Sequence, residues 1–415
     1  MFAVKIPMKP GSAEWFDTTA AGRPKILILG GYSPPAKRAG GPTRSVFEMV
    51  RNLPQYAFYV YCRDREFGTR EKLPGIIPDV WQAQGTAWVC YASFPKRTAL
   101  HVIRLLRRIR PDVIYVCSFF AREPTMQLLF LRRLGLVSQT PIILAPRGEF
   151  SPGSLSLKPK RKRSYLAFAK STGFLQRITW HACSHEEVDS IGRVMGKGAR
   201  IVLAPNFPVS IPADASTRHV PKQPGVARLV FLSRISPEKN LLGALAILSR
   251  VSQPVSLDIY GPVEDAGYWN QCVRFLPTLP PNATARFLGP VDPDQVNETL
   301  SHYDVLFLPT LGENYGYVIV EAWASATPVL VSDRTPWKDL ESTWAGWSFP
   351  LESPEPSARQ IDQLALMGEE DHARWRDGAL NRARMLLRSD LKKHYESLFG
   401  FSVPATDGGR AVGRE

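Results

Sequence analysis

Short apolar runs rich in β-branched and aromatic residues recur along the chain, separated by stretches long enough for helices. That alternation is the pattern of strand–helix–strand units, and it predicts an α/β fold with parallel sheets. In the first half the runs are KILILG from Lys25, FYVY from Phe58, DVIYVC from Asp112, PIILA from Pro141, ITWHAC from Ile178 and RIVLA from Arg200. In the second they are RLVFL from Arg228, VSLDIY from Val255, ATARFL from Ala283, DVLFLP from Asp304 and TPVLVS from Thr327. Between the groups, Pro205 to Ala227 is rich in proline and small polar residues and has no apolar period, so it reads as a linker. The expected organisation is a loose N-terminus over 1–22, in which Trp15 and Phe16 are the residues able to dock, a first domain over 23–208, a linker over 209–227, a second domain with terminal helices over 228–403, and a disordered tail over 404–415.

Length agrees with two domains, because 415 residues exceed the roughly 250–300 at which a single core stops growing. With 44% hydrophobic and 22% charged residues the chain has the composition of a folded globular protein. Its net charge of +14 is unevenly placed: 32 Lys and Arg stand against 13 Asp and Glu up to Pro205, and 20 against 25 after it. The first half alone therefore carries +19, which points to an anionic partner there: a phospholipid surface, a phosphorylated acceptor or nucleic acid. The run Lys158 to Arg177 mixes clustered cations with Tyr165, Leu166, Phe168, Phe174 and Leu175, a composition that suits an anionic membrane surface with the aromatics inserted. A solvated helix face and nucleic-acid binding are the other readings of that run.

Five scattered cysteines without CxxC spacing fit reduced, buried thiols. The first twenty residues lack the apolar core of a secretory signal, and the apolar stretch Tyr315 to Val331 is broken by Glu321, so the expectation is a cytoplasmic protein, peripheral on the inner face of a membrane, without a spanning helix. His181, Cys183 and His185 resemble a metal cluster at first. The first two fall at a strand end, however, and Ser184 with Glu187 reads as a capping box, so no metal is expected.

The candidate chemistry concentrates after DVLFLP. The segment TLGENYGYVIVEAWASATPVLVSD places Glu313 and Glu321 with seven residues between them, the first in a loop leaving a parallel strand and the second one turn into a predicted helix Tyr317 to Ser325. Ligands of open α/β sheets bind at such strand ends. Gly316 permits close backbone approach at the helix start, where unpaired N–H groups and positive partial charge suit a diphosphate. Glu321 sits in an apolar surround, VIV-E-AWA, where a carboxylate needs a partner or a function. In LVFLSRISPEKNL, Arg234 and Lys239 stand five residues apart in a strand-to-helix loop, a spacing that can neutralise a diphosphate leaving group.

Glu-x7-Glu in this setting resembles the donor-site signature of the retaining glycosyltransferases of family 4, with the two-domain GT-B fold in which two Rossmann-like domains face each other across a cleft. TPVLVSDRTPWKDL resembles the polysaccharide- and lipopolysaccharide-building branch. The resemblance implies that Glu313 contacts the donor sugar, Glu321 the ribose, and Arg234 and Lys239 the pyrophosphate. It implies that the backbone at Asn314, Tyr315 and Gly316 flanks sugar and phosphate, and that Phe287, Leu288 and Gly289 frame the base. In ILILGGYSPPAKRAGGPTRSVFEM, whose glycines Gly30, Gly31, Gly40 and Gly41 precede Pro42, the resemblance makes Gly40 and Gly41 the close-approach points for acceptor and phosphate. Where many members carry a histidine contacting the sugar, this chain has Arg147, in the Pro-Arg-Gly form, as a phosphate or acceptor ligand or a structural ion pair. The implied activity is that of a metal-independent, cofactor-free hexosyltransferase, moving sugar from a nucleotide-diphosphate donor to a saccharide or lipid-linked saccharide. An epimerase or phosphorylase of the same fold, and a non-catalytic nucleotide or nucleic-acid binding protein, remain open at this point.

Overall fold

The computed structural model describes residues 12–93, 98–137, 139–156 and 159–401. Residues 1–11, Lys158 and the tail from Pro404 lie outside them. The first domain holds an eight-stranded sheet built from β1 (Lys25–Leu29), β2 (Ala57–Arg63), β3 (Trp81–Gln84), β4 (Ala87–Ala92), β5 (Val113–Cys117), β6 (Ile142–Ala145), β7 (Ile178–Ala182) and β8 (Arg200–Leu203), in the order β3-β4-β2-β1-β5-β6-β7-β8. The second holds six strands, β9 (Ala227–Leu232), β10 (Val255–Tyr260), β11 (Ala283–Gly289), β12 (Val305–Leu308), β13 (Val329–Ser332) and β14 (Gly346–Phe349), in the order β11-β10-β9-β12-β13-β14. Neighbours are parallel except β3, which runs antiparallel to β4.

Side chains along β1 and β2 alternate between two separate cores. Ile26, Ile28, Phe58 and Val60 fill one, and Leu27, Leu29, Tyr59 and Tyr61 the other. Both faces are dry, which is why these strands read as continuous apolar runs. Three strands escaped the pattern. β3 and β4 form a hairpin over Gly85 and Thr86, where the interval before β5 reads as one crossover, and the φ of 58° at Gly85 is turn geometry that glycine adopts freely. β14 has four residues, one of them the exposed Ser348, so it is too short to register as an apolar run.

Two terminal expectations are corrected. Ala13–Ala20 is a helix rather than a loose segment: Ser12 Oγ accepts from Trp15 N, and Trp15 and Phe16, each 1% exposed, pack edge-on against Trp88, Tyr59 and Trp81. The C-terminal end does not stay in the second domain. After the helix Glu369–Arg388, which packs on Tyr317–Ala324, the helix Lys392–Phe399 returns to the first sheet, where Tyr395, Leu398 and Phe399 join the core of Ile26 and Phe58. Tyr395 also stacks on Phe207 at 4.9 Å. An amphipathic helix shows that it must cover something, and the uncovered face lies on the opposite domain.

The basic run forms the helix Pro159–Ser171. Its aromatics do not share one outward face: Tyr165 packs against Phe119 and Phe120, Phe174 is half-buried, and Phe168 stands exposed. The helix has to cover the sheet on one side, so the expected aromatic array is reduced to Phe168 beside Phe130 of the helix Gln127–Arg133. Among the described residues no helix is long and apolar enough to cross a membrane. All five cysteines are buried thiols, none in a disulfide.

Candidate functional site

The site lies at the carboxyl ends of β9 and β12. Beyond β9 the chain passes Arg234, makes a single 3-10 turn over Pro237–Lys239, and enters the helix Leu241–Leu248 through Asn240, whose side chain accepts from Gly243 N at 3.2 Å. That turn aims the Lys239 ammonium at the loop after β12, where Nζ donates to Glu313 Oε1 at 2.5 Å. The two side chains are 10% and 11% exposed, so the pair sits in a poorly solvated place where its attraction is strong. Residues 239 and 313, 74 positions apart, thus meet at one point.

Arg234 takes a different partner. Its Nη1 donates to Glu264 Oε2 at 2.6 Å, an acid from the loop after β10 that the sequence reading did not single out. An acid in a strand-to-helix loop of the same sheet is the signal that was there to find. Across the cleft, Gly40 (φ 65°) comes so near that a Cβ on it would stand 3.6 Å from Arg234 Nε, so the glycine-rich loop does approach the basic pair.

Gly316, with φ 72°, caps the helix Tyr317–Ala324, and no side chain caps its N-terminus. A Cβ at 316 would lie 2.9 Å from Ile319 Cδ1, so the position needs glycine for both conformation and space. Tyr315 is buried against Tyr317 and Trp337, and its carbonyl accepts from Trp337 Nε1 at 2.5 Å, which leaves only backbone to face a ligand there. The Asn314 side chain crosses to the other domain, with Nδ2 2.8 Å from Cys183 Sγ and Cβ against Gly148. Leu288 and Gly289 end β11 on the same side of the sheet, with Leu288 exposed, Phe287 against Trp269 at 4.5 Å, and Gly289 O accepting from Gly261 N at 2.9 Å.

Glu321 faces the first domain through helix-to-helix packing. Gly41 lies against Tyr317, with its Cβ position 3.9 Å from Tyr317 Cδ2. Arg44 and Glu48 follow three and seven residues on, along the same face of the helix Gly40–Asn52, as Glu321 follows four residues after Tyr317. Arg44 Nη2 and the buried Glu48 are paired at 3.0 Å. Burial pushes the Glu321 carboxyl above its ordinary value, with Arg44 opposing and Glu48 adding to the rise. Glu48 is raised as well, by burial against the pull of Arg44 and Arg51. The Arg44–Glu48 pair was not legible in the sequence, because an i, i+4 pair on a helix is usually a solvated one.

Arg147 is held inside the first domain by neutral partners rather than by the ion pair that was one of its expected roles. Its backbone is left-handed (φ 55°), which turns the guanidinium beneath the loop, where Nη1 donates to Asn206 Oδ1 at 2.6 Å and Nη2 to Tyr115 OH at 2.7 Å. The network continues inward. Tyr115 OH is 2.6 Å from His181 Nδ1, and His181 Nε2 is 2.7 Å from Ala204 O, so the ring donates to the carbonyl and accepts from the tyrosine. Burial, then the nearby Arg147 charge, lowers the His181 pKa to about 3 and keeps the ring neutral. Ser184 caps its helix as expected, accepting from Glu187 N at 3.2 Å. Glu187 does not complete the reciprocal half of a capping box; its carboxylate accepts instead from Cys183 N at 2.9 Å and Gly148 N at 2.8 Å, which fixes the loop carrying Arg147.

Residues 214–382 match the model of the glycosyl transferases group 1 family. Glycogen synthase of Mycobacterium tuberculosis is 26% identical over 232 residues, covering 55% of this chain and 53% of that protein. Phosphatidyl-myo-inositol mannosyltransferase of the same organism is 30% identical over 217 residues, covering 49% and 56%. The chain thus spans about half the length of the curated relatives it matches. In fold the likeness extends further: sucrose-phosphate synthase from Thermosynechococcus elongatus superposes with a TM-score of 0.67 at 16% identity, over 91% of this chain and 99% of that one. HepE of Anabaena, solved with UDP and glucose, superposes with 0.65 at 15%, over 91% and 98%. The segment 214–382, which carries Arg234, Lys239, Glu313 and Glu321, is accordingly a group 1 glycosyltransferase domain, and the chain that contains it has the GT-B fold.

Proposed function

We propose that the chain is a retaining, metal-independent glycosyltransferase of family 4 that moves a hexose from a nucleotide-diphosphate sugar to a saccharide or lipid-linked saccharide in polysaccharide or lipopolysaccharide assembly. The observation that carries this reading is the contact of Lys239 with Glu313 beside Arg234 and below an uncapped helix start. Cations and N–H groups gathered there suit a departing diphosphate, while a carboxylate at their edge suits the hydroxyls of the sugar it leaves. In this reading Glu313 turns from Lys239 to the sugar, Glu321 takes the ribose, the backbone of 314–316 flanks the phosphates, and the end of β11 frames the base.

The reaction follows from those placements. The bond between the anomeric carbon and the diphosphate oxygen breaks and leaves its electron pair on the phosphate, where Lys239, Arg234 and the helix start stabilise the growing charge. The acceptor hydroxyl attacks from the same face, which retains configuration, and its proton passes to the departing diphosphate. No cofactor is required, since the nucleotide sugar is the substrate. The surplus of cations in the first domain and the exposed Phe168 support work at the inner face of an anionic membrane.

The test is a donor screen by thermal shift, followed by turnover. A donor at 100 times its dissociation constant adds about 2.7 kcal/mol of stability. Glu313→Ala is expected to abolish transfer with the fold retained, and undiminished turnover in that variant overturns the assignment.

A further inference from the structure

A cavity of about 950 Å³ opens in the first domain, lined by residues of that domain alone. Its floor and walls come from the loop Arg63 to Thr69 after β2, from Gln127 and Phe130, and from Tyr165, Phe168 and Phe174. It is joined to the cleft by the loop after β1. Tyr32 of that loop lines the cavity with Arg63 over its ring, Glu66 accepts from Lys37 N at 2.8 Å and Arg38 N at 3.0 Å, and Gly40 in the same loop faces Arg234.

Four buried polar atoms around this cavity make no hydrogen bond: Asp64 Oδ2, Arg65 Nε, Gln127 Oε1 and Tyr165 OH. Asp64 is 2% exposed, and Arg65 Nε lies 3.4 Å from its other oxygen in an ion pair without hydrogen-bond geometry. Buried polar groups are otherwise almost always paired, so four such atoms on one cavity mark groups that a ligand completes. The set is mixed, since Asp64 and Gln127 accept, Arg65 donates and Tyr165 does either. A phosphate or carboxylate could meet only the donors, and it would face Asp64, Glu66 and Glu123 in the same wall. Hydroxyl groups, which both donate and accept, satisfy all four.

The rim adds a second requirement. Phe130 and Phe168 are 50% and 52% exposed, and Phe174 bridges them with ring centroids 6.1 and 5.4 Å away. Leu134 and Leu136 extend the exposed apolar surface from Phe130. A run of exposed apolar side chains at the mouth of a polar cavity implies a ligand that is itself apolar where it emerges.

We infer that the cavity is the acceptor site and that the acceptor is an amphiphilic saccharide, its hydroxyl-bearing head held by Asp64, Arg65, Gln127 and Tyr165 and its hydrocarbon portion lying over Phe130, Phe168 and Phe174. The inference rests on the glycosyltransferase reading for the word acceptor; the binding chemistry stands on the cavity alone.

The test uses the full chain and three probes at concentrations where each is monomeric: octyl glucoside, glucose, and an octyl tetraethylene glycol with the same tail and no sugar. By calorimetry, octyl glucoside is expected to bind at least tenfold more tightly than either. Asp64→Asn is expected to weaken it about tenfold through the head, and Phe168→Ser, at an exposed position, through the tail. Equal affinity for the octyl glucoside and the octyl ether, which is what a nonspecific lipid-binding surface would give, overturns the inference. So does octyl glucoside binding unchanged in both variants. Nucleotide-sugar binding and transfer by the wild-type protein are read in parallel: selective binding of octyl glucoside without any donor turnover sinks the glycosyltransferase reading alone. Transfer to free glucose as efficient as to octyl glucoside sinks the amphiphile alone.

Discussion

The two sides of the cleft are finished differently. On the second domain the charged groups at the diphosphate end of the candidate site are paired within the protein: Lys239 holds Glu313, and Arg234 holds Glu264. On the first domain the cavity keeps four buried polar atoms without a hydrogen bond. The contrast follows from what each side would bind. A cation meant for a diphosphate can rest against a carboxylate between turnovers, because the ligand replaces one anion by another and no charge stands alone in a dry place. Groups arranged for hydroxyls have no such internal substitute with the right shape, so they wait without hydrogen bonds.

The largest expected effect tests the paired side. Lys239→Ala removes the cation that would meet the leaving group and is expected to lower transfer by roughly 10²–10³-fold, the usual cost of losing one such stabilising group. A kcat within a factor of three of wild type, measured on protein with an unchanged circular dichroism spectrum, would remove Lys239 from the chemistry. Next in size is Arg147→Ala. It leaves Tyr115 and Asn206 without their charged donor and is expected to cost about 2–3 kcal/mol of stability while donor affinity holds. Urea unfolding beside a donor titration separates the two, and lost affinity at unchanged stability would return Arg147 to the ligand-binding role first expected of it.

A smaller effect sharpens the contact between the domains. Ribose hydroxyls donate most strongly to Glu321 when it is ionised and both oxygens accept, and burial, opposed by Arg44 and aided by Glu48, favours its neutral form. Donor KM is therefore expected to rise as pH falls through a value above the ordinary 4.5. Glu48→Gln removes the like charge and should carry that limb toward acid, while a limb that stays in place would separate Glu48 from Glu321. Smallest of all is Lys37→Ala, which breaks the ion pair of Lys37 with Asp292 across the mouth of the cleft at 2.6 Å. Both side chains are more than half exposed, so melting temperature and KM are expected to stay where they were; a measurable fall in either would show that this pair helps hold the domains together.

What could be read beforehand divides along the same line. Arg234, Lys239, Glu313 and Glu321 lie in two short segments, each just after a strand, so strand position fixed the end of the sheet on which they meet. Asp64, Gln127 and Tyr165 come from three separate elements, and nothing in the spacing of an aspartate and a glutamine 63 positions apart announces a shared wall. Arg147 stayed open for a different reason. The residue type allowed a phosphate or acceptor ligand or an ion pair, and the direction of its side chain depends on a left-handed backbone and on an asparagine 59 positions later. Trp15 and Phe16 were visible as candidates to dock, while the helix that carries them and the strands β3 and β4 that receive them were not.

The return of the helix Lys392–Phe399 to the first sheet means that the polypeptide passes between the domains twice, once through 209–227 and again near Ser389 to Leu391. A body joined to another at one point can swivel in any direction; joined at two, it is left with rotation about the line through them. Opening of the cleft is thereby reduced to a single swing, and each closure brings the face of Arg44 and Glu48 back onto that of Tyr317 and Glu321 in the same register.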